Sequence, residues 1–203
     1  MGMAKNQLAT NEIEDERRLV SLAQGGDHQA FDHLINLHQG RIINLAQRLL
    51  SNHQATNRDD AYDVAQEVFI KFYRHLDQFN PTQQLSSWLY RITVNTCHDF
   101  TRSQRRRTPV SLEEVLEERI IPEPAGNDNV EKKAILRQEQ NMILKALATL
   151  TEKERVAIVL RDIEGLSSEE VAAILGSSPT TVRSQISSAR SKLRQFRKRW
   201  LEK

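Results

Sequence analysis

Two hydroxyl–carboxylate pairs and two glycines in the C-terminal third constrain the fold more tightly than any other feature of the chain. Thr151 with Glu154, and Ser167 with Glu170, each set a hydroxyl three residues before a carboxylate. In that pattern the two side chains reciprocally satisfy the free amides at a helix start. Gly165 and Gly176 suit the ends of the helices so begun, and Ser178-Pro179 offers a further N-cap with proline in the first helical position. Ser167 to Arg194 therefore spells a short helix, a glycine turn and a longer helix, the helix-turn-helix arrangement.

On the longer helix, Val182, Ile186, Ala189 and Leu193 fall in one narrow stripe. Thr180, Ser184, Ser187 and Ser191 fall opposite, with Arg183 and Arg194 beside them. Small side chains allow close approach to a DNA groove, an arginine matches guanine edges, and cations further along the helix meet phosphates. A merely solvated helix would share the short polar residues but would not need the flanking cations.

At 203 residues there is room for one large or two small domains. Gly (7) and Pro (5) are scarce among abundant Leu, Ala, Glu, Gln, Arg and Lys, which predicts an all-α protein; nothing reads as a run of strands. Cys97 stands alone, excluding an intramolecular disulfide, and no charge-free apolar run approaches the ~20 residues of a membrane span. A reducing cytoplasm without membrane insertion is the expectation. Residues 1–11 are read as a disordered start, with Met1-Gly2-Met3 left by cloning rather than serving as a lipid anchor.

The net charge of +2 hides a segregation. Residues 183–203 hold eight basic side chains against Glu202 alone, and residues 113–131 hold seven acids against Arg119 alone. Basic blocks at 102–107 and at the C-terminus, separated by an acidic strip, predict two nucleic-acid faces.

Residues 12–107 read as a first helical domain, in which Leu19, Leu22 and Ala23, then Phe31, Leu34, Ile35, Ile42, Leu45, Ala46 and Leu49, recur at helical spacing. Val64, Ala65, Val68, Phe69, Phe72 and Leu76 form the apolar stripe of a third helix, with Asp63, Gln66, Glu67, Lys71 and Arg74 lying away from it. Asn80-Pro81 interrupts, and a fourth helix starts near Ser86. On it Leu89, Ile92, Thr96 and Phe100 point inward, while Arg91, Asn95, His98 and Arg102 form a second, polar and basic stripe that Arg105, Arg106 and Arg107 extend. Residues 108–131, rich in Pro, Gly and Asn, read as a flexible acidic linker, and residues 132–203 as a second helical domain.

Several stretches resemble extracytoplasmic-function (ECF) sigma factors of bacterial RNA polymerase. Leu150 to Arg155, Leu160 to Ser167, Val171 to Gly176 and Thr181 to Ser184 look like that family's C-terminal domain, sigma region 4. Asp63 to Lys71 and Ser87 to Asn95 are similar to the core-binding and promoter-melting helices of its region 2. The family often carries Arg or Lys at the positions of Gln185 and Ser188, and this chain has neither, so the resemblance does not carry over the exact upstream promoter sequence.

The resemblance implies a transcription initiation factor that is not an enzyme and needs no cofactor or metal. Its partners would be core RNA polymerase, through the β′ coiled coil and the β flap, promoter DNA, and an anti-sigma factor that answers stress or an envelope signal. Asp63, Gln66, Glu67 and Lys71 would dock on the β′ coiled coil. Phe79, Asn80 and Gln84, in the loop Gln78 to Leu85, would capture an unpaired base of the minus-ten element, and Arg91, Asn95, His98, Arg102 and Arg105 would hold the opened strand. Arg183, Ser184, Ser187 and Ser188 would read the minus-thirty-five element, with Thr180 on the same face and Thr181, Arg190 and Lys192 at phosphates. The acidic linker would run through a basic channel of the polymerase.

Catalysis finds no such support. In Cys97-His98-Asp99 adjacent helical residues point about 100 degrees apart and cannot converge on one ion or proton. Trp88 reads as core. Two other classes compete with a sigma factor: a self-sufficient DNA-binding regulator, which needs a ligand pocket or a dimerisation helix, and a protein-binding helical adaptor, which needs no basic faces.

Overall fold

The computed structural model describes residues 14–51, 58–107 and 130–202, apart from the side chains of Arg105, Arg107 and residues 130–137. The expectations for residues 1–11 and for the linker up to residue 129 lie outside the described residues. Among those described there is no strand, and they fall into two compact units, one of residues 14–47 and 58–98, the other of residues 48–51 and 99–202.

The first unit opens with α1 (residues 14–24), which a turn at Gly26 ends with φ +92°, a conformation that glycine adopts without strain. Helix α2 (His28–Leu50) follows, its free amides capped where the Asp27 carboxylate accepts from the Gln29 and Ala30 N–H groups at 2.9 and 3.1 Å. After α3 (Arg58–Arg74) and a 3-10 turn (Leu76–Gln78) comes α4 (Leu85–Arg107). Leu34, Ile42, Leu45, Val64, Val68, Phe72 and Leu89 fill the core. Burying each such side chain contributes about 1.5–3 kcal/mol, and this outweighs the weak helix preference of the β-branched residues. An aromatic column crosses the unit: Phe31 meets Phe72 at 5.1 Å, Phe72 meets Trp88 edge-on at 5.6 Å, and Trp88 meets Phe79 at 5.0 Å between ring centroids. Trp88 thus belongs to the packing.

Some assignments to the apolar stripes change; on α4, Ile92 and Phe100 are only half buried while Val94 and Cys97 are buried. Leu22 is 44 % exposed while Val20 is buried in its stead, and Phe69 is only half buried while Ala61 joins the core of α3. A helix with apolar residues on more than one face offers several stripes, and only the neighbouring helices choose which is buried. The buried hydroxyl of Thr93 donates to the Leu89 carbonyl one turn back at 2.8 Å, which lets a polar residue sit inside the helical core.

The second unit comprises α5 (Val130–Ala148), α6 (Glu152–Ile158), a π-helical turn (Val159–Ile163), α7 (Ser168–Leu175) and α8 (Pro179–Leu201). Helix α5 begins two residues inside the stretch assigned to the linker. Both capping boxes form, Ser178 accepts from the Thr181 N–H ahead of Pro179, and Gly165 and Gly176 take φ of +81° and +59°. Helix α8 packs on α5, α6 and α7 over a core of Leu147, Val156, Ile158, Leu160, Val171, Val182, Ile186 and Ala189.

The π turn and Arg155 have no counterpart in the sequence reading. Arg155 is 1 % exposed, and burial pulls its guanidinium below its ordinary value. It is held by donating to the Leu147 and Leu150 carbonyls at 3.2 and 3.0 Å, so it closes the C-terminal end of α5 from within.

Candidate nucleic-acid and polymerase interfaces

Helix α8 presents two edges. Thr180, Thr181, Arg183, Ser184, Ser187, Ser188 and Arg190 are exposed, whereas the apolar stripe turns in against α6 and α7. Its second edge is tied to α6 by Glu154: the Ser188 hydroxyl donates to Glu154 Oε1 at 2.6 Å, and the Lys192 ammonium donates to Oε2 at 2.8 Å. The same carboxylate accepts from the Thr151 amide and hydroxyl at 2.9 Å each. Burial alone would raise this carboxyl, but the bonds from Lys192, Ser188 and Thr151 prevail and hold its pKa down to about 2. Ser188 and Lys192, assigned to bases and phosphates, are here turned to Glu154, and the Thr181 hydroxyl pairs with that of the N-cap Ser178 at 2.8 Å.

The arginines also have partners. Arg183 donates to Glu169 of α7 at 2.7 Å, with both side chains more than half exposed. Arg190 forks onto Asp162 of the π turn at 2.7 and 3.0 Å, which raises its guanidinium pKa further. Exposed pairs of this kind are worth about 0–1 kcal/mol, so a phosphate or a guanine edge can displace the carboxylate. Glu169 and Asp162, the acids of these clasps, carry no local sequence signal; Glu154 reads only as a capping residue, and its reach to α8 is a tertiary fact.

On α4 the residues Arg91, Asn95, His98 and Arg102 are all exposed and lie on one face at spacings of four, three and four, and Arg106 continues the track. The Arg105 side chain lies outside the description. Cys97 is buried while His98 and Asp99, which follow it, are exposed, and no group of three or more potential metal ligands occurs among the described residues.

The loop before α4 has Asn80 and Gln84 exposed, but Phe79 is 4 % exposed and packed on Trp88. A base would stack on Phe79 only after that ring left the core. The Asn80 side-chain oxygen accepts from the Thr82 amide at 3.0 Å and the Thr82 hydroxyl at 2.8 Å, a turn that the residue forms with its own chain.

On α3, Asp63 and Gln66 project to solvent, and Glu67 is partly exposed. Lys71 departs from that face: its ammonium donates to the buried Thr96 hydroxyl of α4 at 3.1 Å and lies 3.9 Å from Glu67. Beside Gln66 a shallow groove of about 410 Å³ opens between α2 and α3, lined by Phe31, Ile35, Phe69, Ile70, Tyr73 and Arg74.

Two helical units, one carrying a basic stripe on a long helix and the other a helix-turn-helix with a cationic outer edge, define a DNA-binding protein of bipartite build. Residues 34–107 match the family "Sigma-70 region 2" and residues 140–193 match "Sigma-70, region 4". The ECF RNA polymerase sigma-E factor of Escherichia coli (strain K12) is 36% identical over 178 residues, covering 85% of this chain and 88% of that protein. That of Haemophilus influenzae is 34% identical over 185 residues, covering 86% and 91%. Among solved structures, CnrH in complex with the cytosolic domain of CnrY matches with a TM-score of 0.62 at 28% identity, covering 89% of this chain and 96% of that one. The sigma factor RpoE in complex with the anti-sigma factor NepR from Bartonella quintana matches at 0.57 and 28%, covering 81% and 98%. The chain belongs to the ECF sigma factors of RNA polymerase.

Proposed function

We propose that this chain binds core RNA polymerase, directs it to a defined set of promoters and opens them there, using α8 on the minus-thirty-five element and α4 with its preceding loop on the minus-ten element. The observation that carries the reading is the pair of exposed polar and basic surfaces, one on each unit, within the matched segments. A protein-binding adaptor has no use for two such surfaces, and a DNA-binding regulator has none for a strand-holding helix far from its helix-turn-helix in sequence.

Asp63, Gln66 and Glu67 meet the β′ coiled coil, with Lys71 at the edge of that face bracing α3 against α4. Arg91, Asn95, His98, Arg102 and Arg105 follow the non-template strand, and Asn80 and Gln84 contact the extruded base. Arg183, with Ser184, Ser187 and Thr180, meets base edges; Thr181 and Arg190 lie toward phosphates, and Ser188 and Lys192 hold the tethered edge. The second unit also engages the β flap. An anti-sigma factor holds the chain inactive until an envelope or stress signal releases it; support comes from the two structural relatives, solved with the cytosolic domain of CnrY and with the anti-sigma factor NepR. The work is done in the cytoplasm, where the polymerase is, and no helix among the described residues is long and apolar enough to cross a membrane. The role is that of an initiation factor and involves no bond-making step of its own.

Copurification with core polymerase followed by transcription from a matched promoter tests the reading. Transcript that depends on both components is the expected result. Sequence-specific DNA binding without any association with core would establish a regulator instead.

A further inference from the structure

We propose that Gln24, on α1, is a positioning residue for promoter opening: it clips the turn from which the loop 78–85 projects and so sets where Asn80 and Gln84 meet an extruded base. The proposal rests on the reading of that loop as the base-capturing element.

The Gln24 side-chain amide donates to the carbonyls of Leu76 and Phe79 at 2.8 and 2.9 Å, across more than fifty residues of sequence. Those carbonyls bracket the 3-10 turn, whose own bond runs from the Phe79 N–H to the Leu76 oxygen at 3.1 Å. Gln24 therefore adds a second bond to the Leu76 oxygen and a bond to the Phe79 oxygen, one at each end of the turn, with two donors from a single nitrogen, a task open only to a side chain that carries at least two N–H groups. The Phe79 ring beyond the clip is seated on Trp88, and Arg17, two turns earlier on α1, reaches the Thr82 carbonyl at 3.5 Å. Between these anchors Asn80 spends its oxygen on Thr82. The loop is thus shaped from its base by α1, and its exposed amides at Asn80 and Gln84 stand on a fixed foundation. A reading site displaced by an ångström loses its hydrogen bonds to the base edge, so such support acts on selectivity without touching DNA.

The test uses the full chain with Gln24→Met, which keeps the length of the side chain and removes its donors, and Gln24→Lys, whose ammonium again offers several. Core polymerase is loaded with each variant, and open-complex formation is followed on promoters carrying each of the four bases at the captured position. Asn80→Ala and Gln84→Ala are run alongside. Gln24→Met should lose about tenfold of the preference among bases, the factor that about one net hydrogen bond represents, with core binding unchanged and with partial recovery in Gln24→Lys. Amide exchange at Phe79, Thr82 and Gln83 should quicken by a similar factor while α2 and α4 stay protected. Unchanged base preference in Gln24→Met, when Asn80→Ala or Gln84→Ala abolishes it, overturns the role of Gln24 alone. Unchanged preference in the two loop variants overturns the capture reading and the proposal with it. Exchange that rises equally throughout the first unit marks Gln24 as a general stabiliser and also sinks it.

Discussion

At Glu154 one carboxylate closes the start of α6 through Thr151 and fastens α8 to α6 through Ser188 and Lys192. Its folded-state pKa of about 2 lies below the ordinary 4.5. The ionised form therefore stabilises the fold, fully so above pH 4.5, and this contribution drains away as pH falls from there toward 2. Glu154→Gln should lower stability at neutral pH by about 1.5–3 kcal/mol, the usual worth of hydrogen bonds to a charged group, and should flatten the acid limb of thermal melts recorded between those pH values. A double-mutant cycle with Lys192→Met should give a coupling of about 0.5–3 kcal/mol; simple additivity would show that the two groups do not meet in solution. Arg183 differs, since its partner Glu169 is exposed and exchangeable. Arg183→Ala should cost ~1–3 kcal/mol at a single base pair of the upstream element, measured on matched and mismatched promoters across a salt series. A uniform loss on every sequence would make Arg183 a phosphate contact.

Helix α3 divides its labour by face: Val64, Val68 and Phe72 hold it in the core, and Asp63 and Gln66 stand clear. Reversing charge there should spare the fold. Asp63→Lys combined with Gln66→Lys should leave helicity and melting intact but weaken retention on core polymerase about tenfold or more in pull-down, as expected when polar contacts at the centre of an interface are opposed. Retention at the wild-type level with helicity intact would move the docking face elsewhere on the unit. Lys71 is unsuitable for this test, because its bond to Thr96 makes it a brace between α3 and α4.

Across the whole molecule, the acidic strip at 113–131 lies between two cationic regions of sequence, and its sign matches that of a nucleic-acid backbone. Replacing residues 108–129 by a neutral Gly/Ser sequence of equal length should lower the yield of full-length transcript while leaving core binding and minus-thirty-five recognition in place. A yield equal to wild type would reduce the strip to a tether.

Helix identity, both capping boxes, the glycine turns, the polar stripe of α4 and the outward face of α8 were legible in the sequence, because each depends on interactions within a few residues or on helical periodicity. Family membership was legible too, since its motifs are local runs set in a fixed order. Tertiary structure alone decided what those faces touch. Nothing near Gln24 foretold its clip on Leu76 and Phe79, nothing near Glu154 foretold Ser188 and Lys192, and no pattern marked Arg155 for burial. Periodicity specifies the direction in which a side chain leaves its own helix, whereas the partner it meets depends on how helices far apart in sequence pack. The same limit placed Leu22 in the apolar stripe of α1, where neighbouring helices bury Val20 and leave Leu22 exposed.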